Sequence, residues 1–273
     1  MSREITMQLI DHYPPNWAVE TGEMIEAWLA HAEQPSVYLL VDAAFRHDTL
    51  YSWVQSSWPA AEWRALYQDS AKTRLEVLQV SPLLLRIGRD DPEWRGRLDT
   101  LAHLTSGSPM VSMIVTSESL AALWERFYAF RLVSVQKTRY VLRFSDTRRL
   151  PQVIEMLTPQ QCGNLMQYML AWQYVGRDSA WYALELPSIT VDIPAHFEEI
   201  QCDDGQTQAL VSMNRIDALI DDLRRNETEL YEAFEQPSHR HDWLVEAINE
   251  VAESEYPAQV MHCLDKAAIQ DLI

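Results

Sequence analysis

The side chains able to do chemistry are few in this sequence, and most stand alone. Asp42 closes the apolar run Val37–Val41. A carboxylate at the end of a buried strand serves as a reactive acid in some α/β enzymes. It equally caps the segment that follows, or pairs with an arginine. The stretch Arg143-Phe144-Ser145-Asp146-Thr147-Arg148 sets two cations and an acid around one aromatic ring. Such a group either grips a partner as a charged pair or builds a strand-to-helix corner. In the corner reading Asp146 caps the next helix through its backbone amides, and Arg143 or Arg148 orders the loop by a charge-assisted hydrogen bond. The corner is the favoured reading, because a lone ion pair supplies no reaction.

Other candidates fall away on spacing. His239-Arg240-His241-Asp242 is the one dense histidine site. Histidines two residues apart point to different sides of a helix, so one metal ion does not reach both. Pro237-Ser238 reads there as a helix start with Ser238 as its cap. His47 and His103 are isolated. Thr105-Ser106-Gly107-Ser108 lacks the leading glycine of a nucleophile elbow. With seven glycines in 273 residues, no phosphate-cradling loop occurs. Cys162, Cys202 and Cys263 are odd in number and far apart, which suggests buried thiols in a reducing compartment, without disulfide or zinc. No catalytic, cofactor or metal site is expected.

Periodicity supplies the elements that must position these residues. Helices are read at Val19–Ala32, Thr49–Trp58 and after Asp91-Pro92-Glu93. Val37–Val41 reads as a strand buried on both faces. Strand candidates lie in Trp63–Gln68 and Leu75–Leu85, the second starting late or lying at an edge because of Pro82. Val111–Val115 reads as a strand, and a helix starting at Ser117 follows it. Two strands come next, one carrying Leu132, Val133 and Val135 and one carrying Tyr140, Leu142 and Phe144. Thr158-Pro159-Gln160-Gln161 is a capping box opening a helix that runs to about Tyr174. Trp181–Leu186 and Ile189–Ile193 read as short strands. From Gln206 onward the pattern is helical. Leu210, Met213, Ile216, Leu219, Ile220 and Leu223 form a stripe, with Asp217, Asp221 and Asp222 off it.

The expected fold class is therefore α/β, a mixed sheet flanked by helices, with a C-terminal all-helical lobe. Residues 1–194 form the α/β lobe and residues 195–273 the helical one. The net charge of -18 is uneven across them. Met1–Val191 carries -4 and Asp192–Ile273 carries -14. An acidic surface argues against a nucleic-acid partner, favours solubility and steers basic partners. No apolar run approaches the ~20 residues of a membrane span. The N-terminus has no basic start followed by an apolar segment, so no secretory signal is expected. Most of the ten tryptophans fit core packing, and one or two suit an apolar groove for a partner.

The order strand, helix, two strands, "LRFSDTRRL" and "LTPQQ" resembles the type VI secretion effector-adaptor chaperones that carry the domain of unknown function 4123. That family's central signature is similar to R-F-Y-D-P-R followed by an apolar helix. Arg143, Phe144, Asp146 and Arg148 match it, while Ser145 replaces the usual aromatic and Thr147 the usual proline. The Phe-Gly-Pro-like step that often follows is missing; Cys162-Gly163-Asn164 stands nearby. The resemblance covers roughly Val37 to Gln167. It implies a non-catalytic bacterial adaptor in the cytoplasm that binds a cognate toxic effector and helps load it onto the spike protein. Effector and spike are the implied partners, with no cofactor. Asp42, Arg143, Phe144, Asp146 and Arg148 are the signature or partner-binding candidates. An α/β enzyme using Asp42, with Arg143 as a substrate clamp, is the alternative. An immunity protein that binds a toxin is a further one.

Overall fold

Apolar runs too short to be helices, bracketed by helices with one buried face, set up a layered structure. The computed structural model of the chain describes residues 8–71, 74–188, 199–252 and 255–273. Helix α1 (Trp17–Leu29) leads into strand β1 (Ser36–Asp42), and helix α2 (Leu50–Ser57) into strand β2 (Trp63–Ala65). Two short helices, α3 (Gln68–Ala71) and α4 (Leu75–Gln79), precede strand β3 (Pro82–Ile87). Helix α5 (Trp94–Thr105), strand β4 (Val111–Thr116) and helix α6 (Leu120–Phe130) follow. A hairpin of β5 (Leu132–Val135) and β6 (Thr138–Val141) comes next. Then come α7 (Leu150–Met156), α8 (Pro159–Met166), β7 (Met169–Val175) and β8 (Trp181–Ala183). The last part holds β9 (Ile200–Gln201), α9 (Asp204–Ser212), α10 (Arg215–Asn226), α11 (Thr228–Glu232), α12 (Pro237–Glu250) and α13 (Tyr256–Ile269).

The main sheet runs β2-β3-β1-β4-β7-β8, with antiparallel neighbours throughout. A smaller sheet runs β6-β5-β9 and contains the parallel pair β5–β9. The expected α/β architecture with a helical C-terminal region is present, and the mixed strand directions reside in the small sheet.

Strand β1 explains the layering. Its residues Val37–Val41 are all wholly buried. Val37, Leu39 and Val41 pack under α1, α2 and α5 through Ile25, Val54 and Leu98. Tyr38 and Leu40 pack on the other side against Phe127 of α6, Leu150 of α7 and Leu165 of α8. With both faces covered, no alternation of polarity is possible, and the run is continuously apolar. A separate core lies among α10–α13, built from Leu219, Leu223, Leu230, Leu244, Ile248 and Cys263. Helix α9 belongs elsewhere: its Leu210, with Met213 just after it, packs on the second face of the sheet.

Several expectations need correction. The helix read as running to Tyr174 ends at Met166, and Met169–Val175 is instead a strand beside β4. A seven-residue, mostly apolar stretch carries no period that separates strand from helix, and pairing with β4 decides it. Leu75–Gln79 is a helix, because Leu-Glu-Val-Leu-Gln is a run of mostly good helix formers. Pro82 begins β3, so that strand does start late; its place between β2 and β1 is interior. A proline is tolerated at the first position of a strand because no ladder donor is needed there. The cap of α6 is Ser119, not Ser117. Ile189–Ile193 and the lobe boundary near Pro194 lie outside the described residues. Cys263 is buried as expected, whereas Cys162 and Cys202 are half-buried, and all three thiols are free. Among the described residues no helix is long and apolar enough to cross a membrane.

The capping box at Thr158 forms as expected. Thr158 Oγ1 accepts from the Gln161 amide at 3.3 Å, and Gln161 Oε1 accepts from the Thr158 amide at 2.9 Å. Gln206 Nε2 also donates to Gln161 Oε1 at 2.8 Å, tying α9 to this corner. Thr158→Ala should lower stability by about 1 kcal/mol. The midpoint of urea unfolding, at unchanged slope, measures it.

Candidate functional site

Strand alternation puts Asp42 on the face of Tyr38 and Leu40, the face from which the signature segment approaches. Its carboxylate is buried and fully engaged. Oδ1 accepts from the Ala44 amide at 3.1 Å. Oδ2 accepts from Arg143 Nη2 at 3.0 Å and from Ser145 Oγ at 2.9 Å. Asp42 thus caps the short turn after β1 and anchors a segment about a hundred residues away. Ser145, which replaces the usual aromatic, has become part of that anchor.

The signature is a tight corner. The Phe144 amide donates to the Leu142 carbonyl at 3.0 Å, so Arg143 and Ser145 both curl toward Asp42. Phe144 points into the core, edge-on to Phe127 at 5.1 Å and to Trp172 at 6.4 Å between ring centres. Asp146 does not cap α7 through its side chain as the corner reading had it. Its Oδ1 accepts from the Arg148 amide at 3.1 Å and from Arg148 Nε at 3.1 Å, and its Oδ2 from Arg148 Nη2 at 2.8 Å. The Asp146 carbonyl, rather than its carboxylate, receives the Arg149 and Leu150 amides that start the helix. The carboxylate is thereby free to orient one arginine. The guanidinium groups of Arg143 and Arg148 lie 5.0 and 5.6 Å from the Phe45 ring centre.

Arg148 links this corner to the helical lobe. Its Nη1 reaches Asp217 Oδ1 of α10 at 3.3 Å. Arg177, in the turn between β7 and β8, grips Asp217 with both terminal nitrogens, at 3.1 and 2.9 Å. Arg149 Nη2 adds a contact to Oδ2 at 2.7 Å, and its Nη1 donates to the Met213 carbonyl. One carboxylate of the helical lobe therefore sits in a cage of three arginines from the α/β lobe. Burial by itself would raise the Asp217 pKa. Arg148, Arg177 and Arg149 outweigh it and hold the value at about 2. Burial likewise works against the charge of Arg148, and Asp146 with Asp217 more than compensates, leaving its pKa raised.

A second tie lies beside the cage. Asp11 accepts from the Ser238 amide at 3.0 Å and from Ser238 Oγ at 2.6 Å. The Asp11 amide donates to the Arg177 carbonyl at 2.8 Å. Ser238 therefore binds Asp11 instead of capping α12, whose N-cap is Gln236. Clefts of about 320, 260 and 170 Å³ surround Arg148, which lines all three and so marks the seam between lobes.

The structure thus brings Asp42 to Arg143, and Asp146 to Arg148, with Phe144 as the peg between them. Asp217, Arg149, Arg177 and the Asp11–Ser238 pair were not foreseen. Asp217 lies off the apolar stripe of α10, the pattern of a solvated face, and only the fold turns that side toward arginines. His239 and His241 gather no further ligands: among the described residues no group of three metal-binding side chains occurs. Chemically the arrangement binds and orients, and its carboxylates are spent on protein donors.

No curated protein and no solved structure matches the chain. Residues 37–164, from the start of β1 to the end of α8, match the model of the family described as Domain of unknown function (DUF4123), a family associated with type VI secretion effectors.

Proposed function

We propose that this protein is a non-catalytic adaptor of type VI secretion, which binds a toxic effector and helps load it onto the spike protein in the bacterial cytoplasm. The observation that carries the reading is the family match over residues 37–164, which contains Asp42 and the whole signature. The geometry supports it. Asp42, the strand-end acid of the enzyme alternative, already accepts three hydrogen bonds and is almost wholly buried. A reaction at Asp42 would first have to break its ties to Arg143 and Ser145. The signature acts as an internal staple that fixes two lobes as one platform. A specific partner on such a platform buries roughly 800 Å² of it. Release then follows from competition by the spike, with no nucleotide consumed.

Co-expression with a candidate toxin and a candidate spike protein of type VI secretion tests this. The chain is expected to co-purify with both. Asp42→Ala, which lowers stability, should leave capture unchanged below its melting temperature. A chain that stays solitary beside both candidates while consuming a small substrate overturns the proposal. A chain that protects cells from the toxin when expressed alone favours the immunity reading.

A further inference from the structure

We infer that β6 is an open sheet edge that accepts an extended segment of the partner, with the side-chain pattern acidic–x–apolar–x–acidic. The inference rests on the adaptor reading, since it names where that partner docks.

Strand β6 is the edge of the small sheet, and all four of its residues are exposed. The turn joining it to β5 contains Gln136 and Lys137 alone, with φ of 51° and 85°. Two consecutive residues of that kind make the turn type whose twist suits a two-residue hairpin. Neither is glycine, so both are held in a conformation that side chains rarely adopt. The hairpin is therefore a built feature with a fixed register.

The register decides which backbone groups are free. Val135 lies opposite Thr138, Val133 opposite Tyr140, and the Leu142 amide donates to the Arg131 carbonyl at 2.9 Å. In an antiparallel pair, hydrogen-bonded and non-bonded positions alternate. Thr138, Tyr140 and Leu142 thus turn their backbone groups toward β5, while Arg139 and Val141 turn theirs outward. Among the described residues nothing bonds to those outward groups. An added strand would find two donors and two acceptors at β-sheet spacing.

The side chains say what kind of strand fits. Arg139 and Val141 share one face of β6, and Arg143 follows two residues on, just past the end of the strand. Arg139 is 70% exposed although it meets Glu199 at 2.9 Å. Arg143 is 45% exposed, with donors remaining after its bond to Asp42. Val141 between them is 52% exposed. From Arg131 to Ser145 there are four cations and no acid, in a chain of net charge -18. A strand laid alongside places its own side chains directly opposite these. Acids then face the two arginines and an apolar side chain covers Val141.

The heptapeptide Thr-Glu-Thr-Val-Thr-Glu-Thr, blocked at both ends, is the probe, with lysine replacing glutamate in the control. Amide hydrogen exchange of the full chain should slow about tenfold or more at Arg139 and Val141 with the glutamate peptide only. Val141→Pro deletes the outward N–H and leaves the β5 ladder intact, so it should weaken both this peptide and effector capture by about tenfold or more. Arg139→Gln, which spares the backbone, should reduce the preference for glutamate over lysine. Equal binding of the two peptides overturns the inference. So does protection elsewhere in the chain, or a wild-type dimer that Val141→Pro makes monomeric. Effector capture that survives Val141→Pro overturns it too, and leaves the adaptor reading standing. A chain that binds the glutamate peptide at β6 yet captures no effector ends the adaptor reading and leaves the edge chemistry intact.

Discussion

Asp217→Ala is expected to destabilise the chain by about 3–5 kcal/mol, the usual loss when one partner of a buried ionic group is removed. The reason is what remains. Arg148, Arg149 and Arg177 keep their charges and their burial but lose the carboxylate that they share. Asp146 still holds Arg148, so the damage should fall mainly on Arg177 and Arg149. For a chain of this size the loss corresponds to a fall in Tm of roughly 10 °C by calorimetry. The helical lobe should also become the first site of proteolysis, since its ionic tie to the α/β lobe is gone. Asp217→Asn, which preserves shape and one acceptor, should recover only part of the loss. The same cage gives a pH dependence. The folded-state pKa of about 2 lies below the ordinary 3.8, so the unfolded chain takes up the proton first. The Asp217 contribution is full above about pH 4, and it fades as pH falls through the folded value near 2. The lowered pKa corresponds to roughly 2 kcal/mol of stability. The variant should therefore lose less stability than the wild type between pH 4 and 2. A variant with the same Tm and acid limb as the wild type would remove the cage from the account of how the lobes are joined.

Most of the layered fold could be read locally. Val37–Val41 announces a doubly buried strand because nothing polar interrupts it. Thr158 and Gln161 announce a helix start because a capping box is a four-residue device. Strand β7 was hidden, since Met169–Val175 owes its conformation to β4, more than fifty residues earlier. The site divides the same way. Arg143, Phe144, Asp146 and Arg148 could be picked out from their crowding in six residues. What they do depends on partners that no spacing reveals. Asp42 is about a hundred residues from Arg143, and Asp217 is 69 residues from Arg148. An acid off an apolar stripe reads as solvated unless one knows which helix face meets the other lobe. The free edge of β6 was equally invisible, because whether a strand has a neighbour on each side is a property of the sheet.

Phe144→Ala should lower stability by about 3–5 kcal/mol, the range for removing a buried aromatic ring and leaving its cavity. Phe144 is 1% exposed and meets two aromatic neighbours, Phe127 and Trp172. Trp172 is fixed in turn by its Nε1 donating to Ser112 Oγ at 3.1 Å, so it cannot easily move to fill the space. Edge-to-face ring pairs contribute about 0.5–1.5 kcal/mol beyond the area that they bury. Phe144→Leu keeps most of the volume and loses only the ring geometry, so it should lose less than about half as much. The ring also serves the electrostatics. It pegs the turn that aims Arg143 and Ser145 at Asp42, so the alanine variant should loosen that anchor as well. A double-mutant cycle of Phe144→Ala with Asp42→Ala reads this directly, with an expected coupling of about 0.5–3 kcal/mol for residues tied through one turn. Strict additivity would mean that the aromatic core and the charged corner are independent, and that the signature is two motifs lying side by side. Coupling within the expected range makes it one device, in which a ring sets the direction of the charges that hold distant parts of the chain together.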